Sequence, residues 1–384
     1  MKGPAMLHAG LCDIFNIRYP LIQAGMGIYK GVITTPELVA AVSNAGGMGC
    51  LGAQGLELDE LRAAIRKIKS LTDKPFGVDL IIPAKMSVRE GSRAEIRADI
   101  QARYPKHWAL VDDLFKRFDI PRAEIDKSHS LTDEVTRAQA DIIFDEKVAL
   151  FAVALGDPAH LMEKARAAGT KVAGLVGSVN QARKQVQAGV DMVICQGSEA
   201  GGHVGVVPTF PLLPQVVDAV KGTPVIGAGG IADGRGVAAA LALGAQGVWC
   251  GTVFLFSEEV NLHPHHRDQV NRGRSEDFVA SRVYTGKPSR TFHNEVHKIW
   301  ASAGIDPLPM PHQKVLMEDF LDAARKAGKL EYVANPGGQV AGMLNGTRPA
   351  AQIVEEMMTE AEQVIRHSYA LLRDDRPAAT KRAG

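Results

Sequence analysis

The chain reads as an α/β protein, and three observations lead there. Eight short apolar runs recur along it, at 21–24, 48–51, 76–82, 149–155, 171–176, 192–195, 225–228 and 248–250. The runs are apolar throughout instead of alternating, as parallel strands buried on both faces require. Helix-length segments separate them, and glycines gather where several runs end. Eight such strand–helix units close as a TIM (β/α)8 barrel, with a doubly wound open sheet as the competing arrangement.

The intervening helices carry their own start and stop signals. Thr35-Pro36 precedes a helical stretch ending at Gly46-Gly47, and Asp157-Pro158 precedes one ending at Gly169. A charged segment, 84–145, follows the third strand. In it Val111, Leu114, Phe115 and Phe118 recur at helical spacing, as do Leu131, Val135, Ala138 and Ile142, which predicts two amphipathic helices. Because this helical insertion leaves the face where βα loops open, it is expected to form a lid, a pocket wall or a dimer contact. A second departure follows strand eight. The chain therefore divides into a barrel over 1–257, a small, mostly helical domain over 258–336 covering the pocket, and a segment, 337–384, returning to the barrel.

Composition narrows the function classes. A formal net charge of +1 argues against bulk electrostatic binding to nucleic acid or to an anionic membrane. Cys12, Cys50, Cys195 and Cys250 are widely spaced, and three fall in predicted strands, which suits reduced core thiols in a cytoplasmic protein. The N-terminus lacks the apolar run of a secretory signal. The stretch 236–257 has no charge, but Gly244, Gly247 and Gly251 divide it into a short helix and a strand.

Chemistry concentrates at the strand ends. After the run ending at Cys195 stands QGSEAGGH, residues 196–203, which sets the imidazole of His203 behind glycines. Glycines also follow strands seven and eight, in AGGIADGRG (228–236) and at Gly251-Thr252. Such barrels commonly bind phosphate at this place through backbone N–H groups. A nicotinamide fingerprint competes for the same glycines, since 227–232 contains G-x-G-x-x-A, but nothing around it completes a two-half dinucleotide fold.

Taken in order, YPLIQAGMG (19–27), TPELVAAVSNAGGMG (35–49), QGSEAGGH, PVIGAGGI (224–231) and GVWCGT (247–252) resemble the nitronate monooxygenase family, also called 2-nitropropane dioxygenases. They are similar as well to the related flavin-dependent enoyl-ACP reductases. The resemblance implies FMN as cofactor and His203 as catalytic residue. It implies backbone contacts to the flavin at Ala24, Gly25 and Met26, side-chain contacts at Asp79 and Gln196, and phosphate or ribityl contacts at Gly201, Gly202, Gly229, Gly230, Gly251 and Thr252. Arg290 and Asn294, in TGKPSRTFHN (285–294), match a family segment of structural role. Three positions depart from the family pattern. Asp79 stands where Asn is usual, Leu175 near a customary Lys, and Trp249 where Gln is common.

The expected activity is oxidation of nitronates or nitroalkanes with O2. Reduction or dehydrogenation of enoyl or acyl thioesters of CoA or ACP, NAD(P)H:quinone reduction, and non-catalytic flavin binding are the alternatives. NAD(P)H use and a homodimer remain open. His263-Pro-His-His266 and His293-Asn-Glu-Val-His297 invite a metal reading, but neither has a completing cysteine or carboxylate pair, so no metal is expected. His203 itself has a structural alternative, in which it only hydrogen-bonds a neighbouring loop.

Overall fold

The computed structural model describes residues 7–28, 31–82, 93–122 and 133–372. All eight apolar runs form strands: β1 (Leu21–Gln23), β2 (Met48–Gly52), β3 (Gly77–Ile81), β4 (Leu150–Ala154), β5 (Lys171–Val176), β6 (Met192–Gln196), β7 (Val225–Ala228) and β8 (Val248–Cys250). They close into one parallel barrel in chain order, with β1 pairing both β2 (Ile22 with Met48) and β8 (Leu21 with Val248). The open-sheet alternative is thereby excluded.

The unbroken apolar character of the strands has a direct cause. Met192 and Ile194 point into a core inside the barrel with Ile22, Leu150, Ala152, Ile226 and Trp249. Val193 and Cys195, one residue out of phase, pack outward under the helices. The helix Gly10–Phe15 closes the lower mouth, where Leu11 and Phe15 join the inner core and the Leu11 N–H donates to the Gln246 carbonyl at 3.0 Å. Thr35 caps Pro36–Asn44 by accepting from the Leu38 N–H, and Gly169, at φ +76, ends Met162–Ala168.

The insertion is divided between two places. Helix Asp133–Asp145 belongs to the barrel's outer layer, with Ile143 and Phe144 buried among its helices. Val135 is exposed, and Leu131 lies outside the described residues. Helices Arg93–Arg103 and Pro105–Arg117 instead join Glu295–Ala303 and His312–Lys326 around a separate core of Phe115, Trp300 and Phe320. The first of these was not foreseen, because its sequence is charged. Its Arg93 and Arg97 are buried against acids of His312–Lys326, with Arg93 Nη2 2.8 Å and Arg97 Nη2 3.0 Å from Asp319, and Arg93 also paired with Glu318.

The segment after β8 is less purely helical than its sequence suggests. Phe278–Ser281 and Ser289–Phe292 form an antiparallel pair, and Ser289 in turn pairs with His203 of a two-residue strand, Gly202–His203. The histidine loop of the barrel is thus stitched by a small sheet to the added unit. The last helix, Ala350–Ala370, then packs on Gly234–Ala242 so closely that a β-carbon at residue 234 would lie 2.2 Å from the Ala361 nitrogen. No helix among the described residues is long and apolar enough to cross a membrane.

Candidate active site

A cavity of about 790 Å³ opens at the C-terminal ends of the barrel strands. All twelve residues expected from sequence to serve the site line it. Ala24, Gly25 and Met26 follow β1, Asp79 stands in β3, and Gln196, Gly201, Gly202 and His203 come from β6 and its loop. Gly229 and Gly230 follow β7, and Gly251 and Thr252 follow β8. Leu175 and Trp249 line it too, so all three departures from the family pattern meet in one chamber. Its volume is in the range of cofactor sites.

The described part of the insertion, 93–122 and 133–145, contributes no lining residue and so forms no wall of this cavity. Beyond residue 257 the lining comes from Lys287, Pro288, Pro336, Gly337 and Val340.

The loops after β7 and β8 fit an anion. The N–H groups of Gly230, Gly251 and Thr252 donate to no protein acceptor among the described residues. Gly230 has φ +73, in the left-handed region that favours glycine. The nearby N-terminus of helix Thr209–Ala219 is already occupied. There Glu199 accepts from the Thr209 N–H at 2.9 Å and its hydroxyl at 3.0 Å. Glu199 was overlooked in the sequence although it lies inside QGSEAGGH; its part is to brace that loop against the helix.

His203 is held from both sides. The Gln196 Nε2 donates to its carbonyl at 2.6 Å, and its ring Nε2 lies 3.2 Å from the Thr285 hydroxyl. Thr285 Oγ1 donates its own proton to the Lys287 carbonyl at 3.1 Å, so it accepts from His203 Nε2–H. Nδ1 is then the unprotonated nitrogen, and the ring's contact among the described residues is the one at Nε2. Burial, reinforced by the charges of Lys287 and Lys314, pushes the imidazole down to about 4. It is neutral at neutral pH. Thr285, Lys287 and Lys314 were missed as functional candidates. The first two sit in the segment 285–294, while nothing in the helix bearing Lys314 signals that it faces the barrel.

That same segment supports the loop. Arg290 donates to the Ser198 carbonyl at 2.8 Å and to the Phe278 carbonyl at 2.5 Å, and Asn294 caps Glu295–Ala303. The other histidine clusters are engaged internally: His266 Nε2 meets the Pro336 carbonyl at 2.8 Å, and His297 lies between Thr291 and Asn294. No grouping of three or more His, Cys, Asp or Glu side chains suited to a metal occurs among the described residues. All four cysteines are free and buried.

With this geometry in hand, the likeness to known proteins is specific. The family model described as nitronate monooxygenase matches residues 8–360. The chain belongs to the nitronate monooxygenase family. A Mycobacterium tuberculosis protein named as a monooxygenase is 40% identical over 84% of this chain and 90% of its own length. A Staphylococcus aureus protein named as a probable nitronate monooxygenase is 32% identical over 93% of this chain and 98% of its own. Among solved structures, a nitroalkane oxidase from Streptomyces ansochromogenes superposes with TM-score 0.78 at 28% identity, covering 92% of this chain and 99% of that one. FabK from Thermotoga maritima gives TM-score 0.71 at 30% identity, over 95% and 100%. This nitronate monooxygenase family member is therefore an oxidoreductase enzyme, from a family that is flavin-dependent in general.

The His203 anchor gives a first test. Thr285→Val keeps the volume and removes the hydroxyl that holds Nε2–H. If the ring takes part in the reaction, kcat should fall on the order of 10- to 100-fold while cofactor content stays at the parental level, as misplacing a reacting group does. Parental kcat would show that Thr285 does not orient the ring.

Proposed function

We propose that this protein is an FMN-dependent monooxygenase of nitronates and nitroalkanes, with His203 as its catalytic residue. The observation that carries the reading is the neutral His203, with Nδ1 unpartnered, in the same cavity as the free N–H groups of Gly230, Gly251 and Thr252. Those N–H groups, with Gly201, Gly202 and Gly229 beside them, would hold the single phosphate and ribityl chain of FMN. The Ala24–Met26 backbone and the side chains of Asp79 and Gln196 would flank the ring. Bound there, FMN supplies the electron-transfer chemistry with O2 as acceptor.

The chain's own residues handle protons and placement. For a neutral nitroalkane, Nδ1 takes the proton from the α-carbon while Nε2–H stays on Thr285. For a nitronate, already an anion, the same ring positions the substrate, and Lys287 and Lys314 favour negative charge beside it. The unit formed by 93–122 and 258–336, domain-like in having its own core, would fix Lys314 and the Thr285 loop over the barrel. Four enclosed thiols suit a cytoplasmic setting.

The structural likeness to FabK favours one second reading, a flavin-dependent reductase of enoyl or acyl thioesters. Steady-state O2 uptake with propionate 3-nitronate, set against NAD(P)H oxidation with enoyl thioesters or quinones, separates them. Turnover of the nitronate at least tenfold more efficient than of any thioester or quinone is expected. The reverse order would transfer the assignment to the reductase.

A further inference from the structure

Asp79 stands at the middle of β3 with its side chain among the cavity-lining groups, and it fits because residue 25 is glycine. A β-carbon there would lie 2.5 Å from the Asp79 β-carbon. Burial alone acts on its carboxyl, with no hydrogen bond from any described residue. The surrounding elements offer no compensating charge. β2 contributes only the Cys50 thiol, whose own ionisation Asp79 opposes; β4 (LFAVA) and the turn 24–27 after β1 carry no ionisable side chain. Leu175 and Trp249 supply no cation, and the lysines that line the cavity, Lys184 and Lys287, do not act on the Asp79 carboxyl.

We propose that Asp79 is a proton-accepting side chain that couples reduction of the bound flavin to uptake of a second proton. The inference rests on the flavin reading above. In the oxidised protein at mildly alkaline pH the carboxyl is ionised, and a two-electron donor then reduces the flavin: the organic substrate in turnover, dithionite in a titration. Two electrons and one proton enter the ring, and a second proton from solvent closes the Asp79 O–H bond. The cavity's net charge is then unchanged. Without that proton two negative charges would sit together at Asp79, on which no lysine of the cavity acts, and electrostatics opposes that. Burial has already moved this carboxyl up to about 7, so the added negative charge of reduced flavin tips it to the neutral form.

The test is the pH dependence of the midpoint potential of the FMN-loaded protein, titrated with dithionite between about pH 7.5 and 9. Each proton taken up with two electrons changes the equilibrium constant tenfold per pH unit, or about 30 mV. The parent protein should show a slope steeper by one such proton than Asp79→Asn, whose amide matches the carboxyl in size but binds none. Leu175→Lys keeps the carboxyl and adds a cation to the chamber, so its slope should drop toward that of Asp79→Asn. Identical slopes in parent and Asp79→Asn overturn the inference while leaving the flavin reading intact. A chain that takes up no FMN overturns the flavin reading and the inference with it.

Discussion

Replacing His203 by Asn should leave the cavity able to hold flavin and lower turnover of a neutral nitroalkane by about 100- to 10,000-fold, the usual worth of a positioned proton-transfer group. Asn keeps a hydrogen-bonding side chain beside Thr285, so the Gly202–His203 pairing with Ser289 and the Gln196 contact to the residue 203 carbonyl survive. It cannot take a proton at the place of Nδ1. A substrate supplied as its nitronate anion should lose much less. The pH profile follows the same logic: the parent's kcat/KM for a neutral nitroalkane should fall as pH drops through about 4, where the ring becomes charged, and the Asn variant should lack that limb. Equal rates for parent and variant on both substrate forms would make His203 a structural residue.

The second large effect concerns the added unit. Asp319 accepts from Arg93 at 2.8 Å and from both Nε and Nη2 of Arg97 at 3.1 and 3.0 Å, and all three side chains are nearly buried. Removing Asp319 takes from both buried guanidinium groups the carboxylate they share, while Glu318 stays with Arg93, at a cost of about 3 kcal/mol. Asp319→Ala should therefore show that loss in chemical denaturation. Because the same helix carries Lys314, whose charge acts on His203, the surviving folded protein should also have a raised KM for anionic substrate. A loss below about 1 kcal/mol would show that the two arginines find solvent or other partners without penalty.

The barrel was legible because each strand is buried on both faces, so its apolar run stands out without any alternation to interpret. The candidate site was legible for a related reason. Its residues are glycines, a lone histidine and their immediate neighbours at strand ends, and the barrel geometry alone brings such ends together. What escaped notice depends on partners distant in sequence. Arg93 and Arg97 read as solvated charge until Glu318 and Asp319 are placed opposite them. Thr285 is an unremarkable threonine until the short sheet lays Ser289 beside His203. The insertion's helices were visible in their hydrophobic spacing, but their destinations were not: Phe118 stacks on Tyr332 at 3.7 Å and Phe115 packs edge-on to Phe320 at 5.4 Å, contacts that bind the insertion to the segment after β8. For that reason deleting the helix around Val111 to Phe118 would remove core from the added unit instead of trimming a cover from the pocket.

The central claim, that the glycine loops after β7 and β8 make the cavity a site for FMN, is tested most directly by mass spectrometry of the cofactor released from purified protein. One FMN per chain, present on isolation or taken up on reconstitution, is the expected result. FAD alone, or a colourless protein that FMN cannot reconstitute, would contradict it.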